Sequence, residues 1–154
     1  CILDGETKTG VTSMQMAEGL DTGDMLVKAE TEIGENETAS ELHDRLAEMG
    51  AKVLAETLGH LENGTLKPEK QDDSLSNYAS MLTKDMSRLD FSESAKKIHN
   101  TIRAITGFGE LNGKRLKIYR SQIVEKNADG YEAGTIIDEK NFIVAICPLG
   151  GYFG

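Results

Sequence analysis

Tryptophan is missing from the 154 residues, and aromatic rings of any kind make up only 5% of them. Cysteine is almost as scarce. Cys1 and Cys147 stand at opposite ends, with no CxxC spacing and no histidine nearby, which excludes a disulfide scaffold and a thiolate zinc site. A reducing cytoplasm is the expected compartment. His43, His60 and His99 are scattered at no ligand spacing and read as ordinary surface or packing histidines, so no metal is expected. No apolar run approaches the eighteen or so residues of a membrane span, and the start lacks the charged-then-apolar plan of a signal peptide. A soluble chain is predicted. It opens on Cys1 and runs at once into Ile2-Leu3, the look of a stretch cut from something longer.

Charge is present in quantity but unevenly placed. The net value is −9. Residues 1–88 hold 8 Lys and Arg against 18 Asp and Glu, a net −10, whereas residues 89–154 hold 9 against 8, a net +1. This asymmetry suggests two modules with different partners, or one solvated acidic face.

Residues 11–16 (VTSMQM) and 25–30 (MLVKAE) have strand-like spacing and flank an acidic loop. Thr38-Ala39-Ser40-Glu41 is a capping-box sequence. Behind it Leu42, Leu46, Met49, Val53, Leu54, Leu58 and Leu61 recur at three- and four-residue steps, predicting an amphipathic helix that ends near Asn63-Gly64. Residues 67–89 carry no sustained period and read as a linker, leaving modules at 1–66 and 90–154. Asp90 and Glu93 offer a second cap, before a short helix with Phe91, Ala95, Ile98, Ile102 and Ile105 on one face. Asn112-Gly113 signals a hairpin leading into a strand at 115–120, with Leu116 and Ile118 on one face and Arg115, Lys117 and Tyr119 on the other. Residues 135–137 and 142–146 read as further strands. The second module is expected to be a small barrel or open sheet.

Asp21-Thr22-Gly23 in the acidic loop has the form of an aspartic protease signature, in which two such loops share one proton. No second Asp-Thr/Ser-Gly occurs, and the helix at 40–61 has no place in a minimal protease half. Calcium-loop spacing is absent too. From spacing alone, a turn aspartate bonded to nearby backbone and a lone acid-base carboxylate both stay open.

The text around Asp21, GVTSMQMAEGLDTGDML, resembles the segment of 10-formyltetrahydrofolate-dependent formyltransferases that carries the catalytic aspartate. The resemblance is strongest to the branch acting on methionyl-initiator tRNA. LHDRLAEMGAKVLAETL is similar to that family's next helix, QDDSLSNYASMLTKDMSRLDFS to its interdomain linker, and LNGKRLKIYRS to a strand of its C-terminal barrel. The similarity runs from Gly10 to about Ala145.

This resemblance implies an α/β fold: the end of a Rossmann-like formyltransferase domain, joined by a linker to an OB-like barrel. It implies transfer of a formyl group from 10-formyltetrahydrofolate to the amine of charged initiator tRNA, with Asp21 as the carboxylate that tunes a neighbouring histidine. Neither a DNA partner nor a membrane is implied. For tRNA phosphates the candidates are Lys84, Lys114, Arg115, Lys117 and Arg120; the bland reading is a basic strand edge that discourages aggregation. Only Tyr119 is interleaved among them, which gives little support for base stacking.

Two departures bear on these expectations. The family's catalytic asparagine and histidine, and its Ser-Leu-Leu-Pro folate segment, correspond to text upstream of Cys1. The 154 residues alone are therefore expected to be inactive, and the alternative is a non-catalytic fragment that contacts tRNA or protein at most. Further on, Thr106-Gly107-Phe108-Gly109-Glu110 replaces a Pro- and Trp-containing loop, and the chain stops at Gly154 before the family's last strands, which predicts an incomplete barrel.

Overall fold

The fold is that of a computed structural model, which describes residues 1–124, 130–139, 142–147 and 151–153. Two compact units divide the chain. One comprises Lys8–Ile33 and Ser40–Met81; the other comprises Cys1–Thr7, Gly34–Ala39 and Leu82–Gly154.

In the first unit β1 (Lys8–Met14) pairs antiparallel with β2 (Met25–Glu32), from Lys8 opposite Glu32 to Met14 opposite Met25, with a bulge at Ser13/Met14. Gly10 is required there, because a Cβ would lie 2.3 Å from the Ala29 carbonyl oxygen. Helix α1 (Ala39–Glu62) ends as the Asn63-Gly64 signal predicts. Gly64 takes a φ of +62°, Thr65 N–H reaches His60 O at 2.9 Å and Gly64 N–H reaches Leu61 O at 3.2 Å, the paired bonds of a Schellman cap. A buried polar link ties helix to hairpin. The hydroxyls of Ser13 and Thr57 lie 2.7 Å apart, Val27 N–H donates to Ser13 Oγ, and Thr57 Oγ1 donates back to Val53 O.

The apolar stripe of α1 is only partly covered, contrary to its sequence pattern. Leu42 and Val53 are buried, but Leu54, Leu58 and Leu61 remain 57%, 53% and 62% exposed. The residues after the helix form two 3-10 turns, at Asp73–Leu75 and Lys84–Ser87, as a segment without helical or strand period should.

The second unit is built on α2 (Ala95–Ile105). Its cap differs from the expected one. Ser94 caps the helix by accepting from Lys97 N–H, while Asp90 accepts from the Ser92 hydroxyl and N–H, bonds that hold its carboxyl below the usual carboxylate range. Four residues closer to the helix, Ser94 alone is placed to meet its first free N–H groups. Strands β3 (Gly107–Leu111) and β4 (Lys114–Ile118) form the hairpin predicted from Asn112-Gly113, both of which have positive φ, at +51° and +73°. The segment 106–110, which departs from the resembled loop, thus supplies most of a strand.

Strands β5 (Ile123–Val124), β6 (Ile136–Glu139), β7 (Phe142–Cys147) and β8 (Gly151–Phe153) make an antiparallel sheet in the order β5-β8-β7-β6. Val144, Ala145, Ile146 and Cys147 of β7 are buried, so alternating residues of this stretch are covered on both faces. Ala145 and Cys147 join Leu89, Ala95, Ile98 and Ile102 in one cluster, and Val144 and Ile146 form another with Val124 and Ile137 packed on it. The α/β content and small sheets are those expected. The described pairings form separate sheets, without a closed barrel, and Pro148 to Gly150 and Gly154, where the expected truncation falls, lie outside the described residues.

Burial divides the two cysteines. Cys1 is exposed, whereas Cys147 is buried and its thiol is pushed up to about 11 by desolvation. At pH 8 a disulfide reagent should label Cys1 quickly and Cys147 only on unfolding, because the thiolate is the nucleophile. Raising the pH from about 9 to 11 should destabilise the fold: an unfolded thiol ionises in that window and the buried one does not, so the unfolded state binds fewer protons. One equivalent reacting fast in native buffer and two in denaturant is the expected count; two fast equivalents would show Cys147 to be open.

Candidate active-site loop and basic strand

The β1–β2 hairpin positions Asp21. Between the strands, residues 15–24 leave the ladder, closed at the base by Gln15 N–H donating to Asp24 O at 2.9 Å. Asp21 sits at a φ of +53°, a left-handed conformation that aspartate tolerates better than most residues because its short side chain can bond locally. Gly23 cannot be replaced without moving the loop, since a Cβ there would lie 1.6 Å from Gln15 O. The Asp21 carboxylate is exposed, and no hydrogen bond joins it to any described residue.

A single distant side chain holds this loop. Gln71 Nε2 donates to Asp21 O and to Gly23 O, both at 2.7 Å. Beside it Met25 and Glu69 exchange backbone hydrogen bonds at 2.8 Å, and Lys28 Nζ reaches Glu69 Oε2 at 2.7 Å. The Lys28–Glu69 ion pair is half exposed and contributes little stability. The backbone and Gln71 bonds therefore set the loop's shape. They fix the main chain and leave the Asp21 carboxylate facing solvent.

The basic candidates separate into three places. Lys114, Arg115 and Lys117 lie on β4 and are exposed. Arg115 opposes Glu110 and its guanidinium lies 3.5 Å from the centroid of the Phe108 ring, a cation–π contact. Lys84 is in the second 3-10 turn, away from that strand in sequence. Arg120 follows β4 and lines a cavity that also includes His99 and Arg103. The predicted two-faced strand needs one correction. Ile118 packs on the core, but Leu116 is 41% exposed, and among the described residues β4 pairs with β3 alone.

Sequence reading passed over Gln71 and the pair His99 and Arg103. For Gln71 there was no local signal, since its partners are about fifty residues away. The pair did leave one: at an i,i+4 spacing beside Ile98 and Ile102, both lie on the inward side of α2, where a histidine and an arginine need buried partners.

A family model described as formyl transferase matches residues 1–58, and a second, described as formyl transferase, C-terminal domain, matches residues 81–148. The chain belongs to the formyltransferase family. Across 98% of its length this formyltransferase chain is 48% identical to a methionyl-tRNA formyltransferase of Geotalea daltonii, covering 49% of that protein. It is 46% identical to the methionyl-tRNA formyltransferase of Pelobacter propionicus, covering 98% of this chain and 45% of the other. The chain thus spans about half the length of the curated relatives it matches.

Among solved structures, an N-formyltransferase of Helicobacter canadensis in complex with folinic acid and dTDP-3-aminofucose has a TM-score of 0.77 at 22% identity, over 99% of this chain and 56% of that one. HypX of Aquifex aeolicus in complex with tetrahydrofolic acid has a TM-score of 0.71 at 18% identity, over 99% of this chain and 27% of that one. These likenesses establish a formyltransferase fold. Among the described residues no helix is long and apolar enough to cross a membrane.

Proposed function

We propose that these residues are part of a methionyl-tRNA formyltransferase, which moves a formyl group from 10-formyltetrahydrofolate to the amine of methionyl-initiator tRNA in the cytoplasm. The observation that carries this reading is the 48% identity to such an enzyme over 98% of the chain. Residues 1–66 then belong to the catalytic domain, 67–89 to a linker and 90–154 to an OB-like module that contacts tRNA.

In this reading the substrate amine attacks the formyl carbon, the bond to the folate nitrogen breaks, and a proton leaves the amine and is returned to the folate. Asp21 is the carboxylate that tunes the histidine moving that proton. Its carboxylate is exposed on a loop whose backbone is already pinned, so it can meet a partner group without reorganising the main chain. The asparagine and histidine that complete such a site are expected in the half of the enzyme that the relatives have and these residues do not include. The 154 residues alone should show no turnover. Joined to the upstream half of the Geotalea daltonii enzyme, they should formylate charged tRNA. Turnover by the isolated residues would overturn the division of labour, and a folded but inactive fusion would overturn the function.

For tRNA contact, exposed Lys114 and Lys117 on β4 are the stronger candidates, since Arg115 is engaged by Phe108. Phosphate contacts give salt-dependent, sequence-independent affinity. Lys114→Glu with Lys117→Glu in the complete enzyme should raise KM for tRNA, leave KM for the folate unchanged and flatten the salt dependence. An unmoved tRNA constant would take β4 out of the interface.

A further inference from the structure

We propose that a cavity in the second unit, between the 34–38 loop, α2 and the residues after β4, is a receptor for a phosphate group. The cavity has a volume of about 400 Å³. Among the described residues its wall includes two guanidinium groups, those of Arg103 and Arg120, and no carboxylate. Thr38, Ser121 and Asn36 add hydroxyl and amide groups to the same wall.

Arg103 carries the argument. Only 9% of it is exposed. Nε donates to Asn100 Oδ1 at 3.0 Å, and Nη1 donates to Gly34 O and Glu37 O at 3.2 Å each. A guanidinium has five N–H donors, and these bonds use three of them. The two on Nη2 have no partner among the described residues. No described buried side-chain nitrogen or oxygen is sealed away without a partner, so Nη2 keeps access to solvent, and Arg103 is one of the residues that line the cavity.

The guanidinium is thus fixed on one edge and open on the other. Its planar fork suits an oxyanion and its geometry is set before any ligand arrives. Burial disfavours the charge of Arg103, and the nearby Glu37 carboxylate opposes that only in part. A phosphate in the cavity would add a second counter-charge to that of Glu37.

His99 is part of the frame. Its ring nitrogens are 2.9 Å from Ser121 Oγ and from Glu35 O, so it braces Ser121 and the 34–38 loop against α2. Tyr119 also lines the cavity and is two-thirds exposed, an aromatic side chain available to a base or sugar attached to the phosphate. The volume suits a ligand of nucleotide size. The phosphate can come from a free mononucleotide or from an RNA chain. The inference uses none of the chemistry assigned to Asp21.

The test is titration of the 154-residue protein with inorganic phosphate, adenosine 5′-monophosphate and adenosine at constant ionic strength, read by thermal melting and calorimetry. Phosphate should raise Tm to a plateau, the monophosphate should bind more tightly, and adenosine should not bind. Arg120→Gln should weaken both phosphate ligands by about 10-fold or more, the cost of losing one charge-assisted contact. Amide NMR shifts on adding phosphate to the unmodified protein should centre on residues 34–38 and 119–122. Short RNAs with and without a 5′-phosphate separate the sources: dependence on the terminal phosphate marks a mononucleotide-like ligand, and indifference to it, with tight binding, marks the backbone. No saturable effect of phosphate or the monophosphate, NMR shifts elsewhere, or undiminished binding by Arg120→Gln would each overturn the proposal.

Discussion

Asp21→Asn in the complete enzyme is expected to lower kcat by about 10²–10⁴-fold, the range for removal of a positioned acid-base group. KM for the formyl donor should barely move. The substitution separates chemistry from shape for reasons visible in the loop. Asparagine tolerates the left-handed φ of +53° as aspartate does. The two bonds from Gln71 go to main-chain carbonyls, so they survive the change of side chain. What is lost is the negative charge that tunes the histidine. Initial rates against each substrate check this, with equal falls in kcat and kcat/KM as the signature. A variant that keeps the parental kcat would remove Asp21 from the reaction and return the loop to the status of an ordinary turn.

Ile102→Ala should cost about 2–5 kcal/mol of stability, the range for deleting the greater part of a buried aliphatic side chain. Ile102 is 2% exposed and packs in the cluster of Leu89, Ala95, Ile98, Ala145 and Cys147. Gly107 presses on the same spot, its missing Cβ position lying 2.9 Å from Ile102 Cγ1. Little room exists for neighbours to collapse into the space. Against a domain stability of roughly 5–15 kcal/mol, such a loss is a large share of the whole. Leu58→Ala on the uncovered face of α1 is the matching control and should cost less than about 1 kcal/mol, because that side chain is already half in water. Denaturant melts followed by circular dichroism distinguish the two; equal losses would mean that α1's exposed face is covered in solution.

Local signals made much of the fold legible. The acidic loop between two strands, the Gly64 helix end and the Asn112-Gly113 turn are each specified by a few neighbouring residues, and each is found where those residues stand. The bounds of β1 and β2 drift by two or three residues, as ladder ends do. Short strands left no trace: β5 has two residues and β8 three, too few for alternation to register. Leu54, Leu58 and Leu61 share the period of Leu42 and Val53, and nothing in that period tells which apolar positions find a covering surface. The candidate site was legible at Asp21 and not in what holds it. Gln71 lies in polar text without a period, and Arg103 bonds to carbonyls more than sixty residues away, so both meanings arise only on folding.

The reach of Gln71 sets an order of events during synthesis. The backbone bonds of helix α1 are local, and the β1–β2 ladder pairs no residue beyond Glu32. The Asp21 loop is different. Its two clamping bonds come from a residue fifty positions later, so every residue of the hairpin and of α1 is made before those bonds can form. The loop's main chain can be clamped only after residue 71 has emerged, later than the residues of the hairpin ladder and of the helix.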